Sequence, residues 1–171
     1  IQPLTVATLF ILNSVVFLYL PTATRYYENG SIAELHNLYV EATKWIMLIS
    51  TPILLVFAIF ANDIVRIFLS TAYLPAAIPF VVLLSGMFFR IFVGPNGATI
   101  KAVDQTRINL ISSSAGVITN IVLNILLVPR FGMVGAAAAT SAGFLVYNGV
   151  EVGVLYLTYR MHPFSLDVMK P

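Results

Sequence analysis

Residues 108–159 read INLISSSAGVITNIVLNILLVPRFGMVGAAAATSAGFLVYNGVEVGVLYLTY. Two long apolar runs, 108–128 and 135–159, are separated by Pro129, Arg130 and Gly132, and proline and glycine stop or turn a helix rather than extend it. Each run is long enough to cross a bilayer, which takes about 20 predominantly apolar residues. The stretch therefore predicts two transmembrane helices joined by a short turn, the first ended by Pro129.

Toward the N-terminus the same pattern repeats. Residues 74–93 carry Pro75 and Pro79 in their first turns and Arg90 near their end, and Gly94, Pro95, Asn96 and Gly97 stop them. Residues 45–61 are entered through Lys44 and Trp45, a pair suited to the headgroup level. Pro52 inside this run is expected to kink it and to free a carbonyl that a neighbouring helix, Ser50 or Thr51 must satisfy. Residues 4–20 form a further run, closed by Pro21. Residues 31–40, with Ile32, Leu35, Leu38 and Tyr39, read as an amphipathic segment lying at the interface. Residues 62–73 are similar but shorter, and their Asp63 and Arg66 read as a solvated charge pair. The fold class that follows is all-α, a polytopic transmembrane helix bundle of about five spans, with 1–171 a single transmembrane domain fragment and 160–171 a cytoplasmic tail.

Composition agrees. The chain is 59% hydrophobic and 9% charged, against about 25% charge in a soluble domain, and its mean hydropathy is +0.93. Its net charge of +2 is too sparse for a nucleic-acid footprint. There is no cysteine, and the two histidines, His36 and His162, lie far apart without metal-ligand spacing. No Gly-rich phosphate loop is present. The expectation is a protein that is not an enzyme, with no catalytic residue, no metal centre, no cofactor and no nucleic-acid partner.

Orientation follows from lysine and arginine in alternate connections. Arg25, Lys44, Arg90, Lys101, Arg107, Arg160 and Lys170 fall on one side, and Arg66 and Arg130 on the other. The richer side is taken as cytoplasmic, which places the N-terminal end of the chain outside and its C-terminal end in the cytoplasm.

Two stripes carry the functional argument. Asn109, Ser113, Gly116, Asn120 and Asn124 share one helical face, flanked by Ser112 and Thr119. Asparagine in hydrocarbon must find a hydrogen-bond partner, so this stripe reads equally as glue between helices or as the wall of a wet cavity. Gly135, Ala139 and Gly143 recur every fourth residue, a ridge of small side chains for close helix packing. Thr140, Tyr147 and Glu151 share another face, with Asn148 beside them. Glu151 is a carboxylate inside an expected span, which by default faces a cavity or a partner, although from its place near the helix end it also reaches the interface or Arg160. Arg90 reads as a phosphate contact or as a side chain snorkelling to the headgroups.

The run Leu38-Tyr39-Val40-Glu41-Ala42-Thr43-Lys44-Trp45-Ile46, the later Pro52, and Ile67-Phe68-Leu69-Ser70-Thr71-Ala72-Tyr73 resemble the polysaccharide biosynthesis (O-antigen flippase) family. So does the run from Asn120 to Ala137, where two spaced asparagines precede a Pro-x-x-Gly-x-x-Gly-Ala turn between spans. The resemblance covers nearly the whole chain and is to part of the C-terminal lobe. It implies the superfamily that also holds the multidrug and toxin extrusion (MATE-like) transporters, built of two lobes about a central cavity and working by alternating access. The implied partners are the lipid bilayer, a polyprenyl-linked glycan substrate and a missing N-terminal lobe of the same polypeptide, in the cytoplasmic membrane. The family carries no catalytic residue over to this chain. Ranked by physics, the substrate-path candidates are Asn109, Ser113, Asn120, Asn124, Asn148 and Glu151, with Arg90 and Arg25 on the cytoplasmic side. The alternatives are a cation-coupled multidrug antiporter of the same fold, a non-transporting scaffold and, more remotely, an integral-membrane glycan-processing enzyme using Glu28, Glu34 or Glu41.

Overall fold

In the computed structural model, residues 16–69 and 71–163 are described, and they form helices and turns with no strand among them. The expected span 4–20 and the tail 160–171 lie partly outside the described residues. The first described helix, α1 (16–28), contains Pro21. That corrects the expectation that Pro21 closes a helix. Proline's fixed φ is helical, and a helix tolerates it where other groups serve the backbone. Threonine hydroxyls add bonds in this turn, Thr22 Oγ1 to the Leu18 carbonyl at 3.3 Å and Thr24 Oγ1 to that of Leu20 at 3.0 Å, although the carbonyl that Pro21 deprives of its helical donor is that of Phe17. The real stop is Gly30, whose φ of +72° lets its N–H reach the Tyr27 carbonyl at 2.9 Å while the Ser31 N–H reaches that of Tyr26 at 2.9 Å.

Helix α2 (Ile32–Ile59) is continuous and carries Pro52 inside it. The segment expected to lie at the interface, 31–40, is thus the start of the same helix as 45–61. Its buried residues Leu35, Tyr39, Thr43, Ile46, Ser50 and Leu54 keep one phase throughout, and nothing between Val40 and Trp45 breaks a helix, so one inward stripe carries the chain across both segments. Ser50 Oγ is buried and makes no hydrogen bond among the described residues, so it does not serve the carbonyl that Pro52 frees. Helix α3 (Ala61–Leu69) follows after Phe60, with Ala61 and Val65 buried and Asp63 and Arg66 exposed.

A 3-10 turn (Thr71–Ala76) holds Pro75 and leads into α4 (Ala77–Phe92). Gly94, at φ +73°, turns the chain from α4 into the short α5 (Asn96–Ala102). Any side chain at Gly94 would collide with Thr43 of α2. The same corner is held by Tyr39, whose hydroxyl donates to the Val93 carbonyl at 2.7 Å.

Helix α6 (Thr106–Tyr159) is two helices in one, broken at Gly132, where φ is 54° and ψ is −128°. Its arms, 106–131 and 133–159, cover the two stretches expected as separate helices. The first arm runs past Pro129, which lies inside it, and it is Gly132 that turns the chain. The arms fold back on each other. A Cβ on Gly135 would stand 2.5 Å from the Leu127 carbonyl oxygen, one on Gly143 would stand 2.9 Å from that of Gly116, and Asn120 Nδ2 donates to Thr140 Oγ1 at 3.1 Å. Pairing positions that recede from Gly132 in opposite directions is the register of an antiparallel hairpin. The second arm also packs on α4, where Gly86 meets the Ser141 backbone and Ser141 Oγ donates to the Val82 carbonyl at 2.8 Å. One apolar core gathers α1, the start of α2, α5 and the end of α6; another gathers the remainder of α2 with α3 and α4.

Three helical segments among the described residues are long and apolar enough to cross a membrane: Ile32–Ile59, Thr71–Phe92 and Thr106–Tyr159. The last has 54 residues, far beyond one crossing, and it is the hairpin. Outward-facing Leu110, Ile118 and Ile125 are exposed by 67%, 61% and 68%, an apolar surface suited to lipid rather than water.

Candidate functional site

Close packing of the hairpin arms brings their polar stripes together. Glu151 is fully buried, and its Oε1 accepts hydrogen bonds from Asn109 Nδ2 at 2.9 Å and Ser112 Oγ at 3.2 Å. Neither bond forms unless the second arm returns alongside the first. Glu151 is thus engaged with the first arm rather than with Arg160, which is exposed at the left-handed end of α6. The other carboxylate oxygen, Oε2, is buried without a hydrogen-bond partner among the described residues. It lies under α5: a Cβ on Gly97 would stand 3.2 Å from Oε2 and 2.8 Å from the Tyr147 hydroxyl, so glycine is what lets α5 settle on this cluster. The Tyr147 hydroxyl in turn accepts from Asn109 Nδ2 at 3.4 Å.

α5 contributes Asn96, whose Nδ2 donates to Asn148 Oδ1 at 3.2 Å, and Asn148 Nδ2 donates to the Phe144 carbonyl at 2.7 Å. Both asparagines are buried. On the α1 side, Tyr19 and Thr99 join hydroxyls at 2.6 Å and tie α1 to α5. Arg90, in the last turn of α4, stands over the Phe144 ring at 5.8 Å.

Arg90 and Tyr147 border two cavities. A groove of about 360 Å³ opens along the hairpin, and Ser113, Asn120, Thr140 and Gly143 line it with them. A smaller pocket of about 160 Å³ lies on the other side, between α1 and α5, and there Arg90 and Tyr147 meet Lys101, Asn96 and Asn148.

Of the residues singled out in the sequence, Asn109, Asn148 and Glu151 thus enter the buried cluster, Ser113 and Asn120 the groove, and Arg90 both cavities. Asn124 turns back on its own helix and donates to the Asn120 carbonyl at 2.9 Å and Oδ1 at 3.0 Å. Arg25 is exposed on α1 and lines neither cavity. Gly135, Ala139 and Gly143 are buried, with Gly135 and Gly143 against the first arm. Sequence reasoning missed Asn96, which it used only as a helix stop; a polar residue flanked by Pro95 and Gly97 was the available sign. It also missed that His36 and His162 meet, their rings 5.1 Å apart and His36 Nε2 3.2 Å from the His162 carbonyl oxygen. Among the described residues no cluster of three or more His, Asp or Glu could hold a metal.

A comparison with known proteins gives one relative of use. Over 137 residues, 80% of this chain, it is 27% identical to an uncharacterized membrane protein of Methanocaldococcus jannaschii. This is a membrane protein. The apolar outer faces and that similarity agree, and the chain spans about a quarter of the relative's length, its 26% share. No family model matches the chain, and no solved structure does.

Proposed function

We propose that this chain is part of the C-terminal lobe of a MATE-like flippase that moves lipid-linked oligosaccharide or polysaccharide precursors across the cytoplasmic membrane by alternating access. The observation that carries the reading is the 360 Å³ groove, in which Ser113, Asn120, Thr140 and Tyr147 of the hairpin and Arg90 of α4 present hydroxyl, amide and cationic groups beside apolar Val117 and Phe144. A glycan on a lipid carrier needs that division: its tail stays among the acyl chains while its hydroxyls and phosphates follow polar groups. On this reading the helices make five crossings, the hairpin supplying two of them, with the lysine- and arginine-rich connections facing the cytoplasm. The work is binding and movement, without covalent chemistry. An N-terminal lobe of the same polypeptide closes the cavity.

A second reading, a cation-coupled antiporter of the same fold, draws on Glu151. It is buried while Glu28, Glu34, Glu41, Asp63 and Asp104 are exposed, and its Oε2 has no hydrogen-bond partner among the described residues. Transport assays with and without an ion gradient separate the two readings.

The groove itself is tested by cysteine scanning, for which the cysteine-free sequence is a clean background. Ser113→Cys and Asn120→Cys should react with a membrane-impermeant thiol reagent in intact membranes, and Ile118→Cys and Ile125→Cys should not. Equal labelling of both sets, or of neither, removes the groove as a hydrated path.

A further inference from the structure

The outward face of α2 changes character half-way along. Glu34, Asn37, Glu41 and Lys44 stand exposed before Trp45, and on the same stripe Leu48, Leu55 and Ile59 follow it, exposed by 62%, 54% and 72%. Charged side chains thus give way to lipid-facing ones within a turn. Trp45 marks the crossing, and an indole is at home at the headgroup level. A cavity of about 340 Å³ lies there, lined by Asn37, Glu41, Lys44 and Trp45. Glu41 and Lys44 are three residues apart, a spacing at which a helix often closes an ion pair, yet among the described residues neither forms one. Both charges are left to the same opening. Opposite charges that face one cavity unpaired match neither a simple anion nor a simple cation; they match a ligand that carries both.

We propose that this cavity holds the headgroup of phosphatidylethanolamine, with the lipid's ammonium on the Glu41 carboxylate and the Asn37 amide oxygen and its phosphate on Lys44. The order is the lipid's own. Along α2 the acid lies nearer the charged end and the base nearer the apolar stripe, three residues or about 4.5 Å apart in rise. In the headgroup the ammonium is likewise outermost, a two-carbon spacer beyond the phosphate. Trp45 then meets the glycerol region and Leu48 the first acyl carbons. An ethanolamine ammonium keeps N–H donors for Glu41 and Asn37, choline has none, and an anionic headgroup would meet Glu41 with repulsion. The site concerns the lipid around the protein and stands whatever the transporter carries.

Trp45 is the chain's one tryptophan, so its fluorescence reports on the cavity directly. The protein in phosphatidylcholine bilayers would receive phosphatidylethanolamine, phosphatidylglycerol or further phosphatidylcholine, each brominated near the glycerol end of its acyl chains, because bromine quenches an indole that it touches. Phosphatidylethanolamine should quench at about a threefold lower mole fraction than either other lipid, the factor that an exposed ion pair supplies. Glu41→Gln should remove that preference, and Glu41→Lys should turn it toward phosphatidylglycerol. Glu34→Gln, outside the cavity, should change nothing. Both glutamates are exposed, so these substitutions leave the core untouched. Equal quenching by the three lipids, a preference for either of the other two, or no quenching by any because protein covers Trp45 would overturn the proposal. So would an ethanolamine preference that survives Glu41→Gln.

Discussion

Gly116→Ala probes the contact on which the site depends. An added Cβ would stand 2.9 Å from the Gly143 carbonyl oxygen and 3.0 Å from Tyr147 Cβ. Ordinary carbon-to-oxygen approaches are about 3.3–3.6 Å, so the arms must part by roughly half an ångström. Forcing a methyl into such a contact costs about 1–3 kcal/mol, and alanine's helix propensity over glycine returns about 0.8–1 kcal/mol, leaving a net loss of about 1 kcal/mol. Gly143→Ala meets the mirror obstacle, 2.9 Å from the Gly116 carbonyl oxygen, and should cost about the same. Both substitutions demand the same separation. Once the arms have parted for one methyl, the second is accommodated, so the double variant should be no less stable than either single one, a coupling of at least about 1 kcal/mol. Gly149→Ala, with nothing within 4 Å of its added Cβ, is the control and should be neutral or slightly stabilising. Reversible unfolding in mixed micelles measures all four. Additive losses, or Gly116→Ala as harmless as Gly149→Ala, would refute the close approach of the arms.

Asn120→Ala loses the inter-arm bond to Thr140 and should cost about 0.6 kcal/mol, up to about 1.7, in the same unfolding assay, whereas Asn124→Ala, whose bonds stay within its own helix, should cost less. If both are glue alone, substrate preference in transport stays unchanged. Ser50→Ala removes a buried hydroxyl without a hydrogen-bond partner among the described residues and should raise stability or leave it unaltered; a loss above about 1 kcal/mol would mean the hydroxyl has a partner. Glu151→Gln should lower transport at normal expression, and unchanged transport would discard a role for the carboxylate in movement.

Helical periodicity made much of this legible. The apolar runs at 108–128 and 135–159 and a turn between them follow from sequence alone, because proline, glycine and a long apolar run are local signals, but the stop read at Pro129 falls inside the first arm and the chain turns at Gly132. Gly143 stood out in its four-residue ridge, and Gly116 in the polar stripe; that each is the other's partner is visible only when the chain folds back. Glu151 was legible as a costly residue, but its donors were not separable from the rest of the stripe until register placed Asn109 and Ser112 opposite it. The continuity of α2 was obscured because Glu41 and Lys44 interrupt its apolar pattern, although both point outward and leave the inner phase intact. Pro21 misled for a related reason: proline marks a lost backbone bond, and whether the helix survives depends on neighbours the local sequence does not reveal. The meeting of His36 with His162, from opposite ends of the described chain, carries no sequence signal at all.

Transbilayer movement tests the central proposal most directly. Liposomes holding the transporter of which this chain is, on the proposed reading, part of one lobe would be loaded with a fluorescent polyprenyl-diphosphate sugar, with and without a proton or sodium gradient. The account expects protein-dependent movement of the lipid-linked sugar that falls when Asn120 and Arg90 are replaced. No movement of the sugar, with gradient-driven expulsion of a cationic dye from the same vesicles, would contradict it and assign the groove to an antiporter.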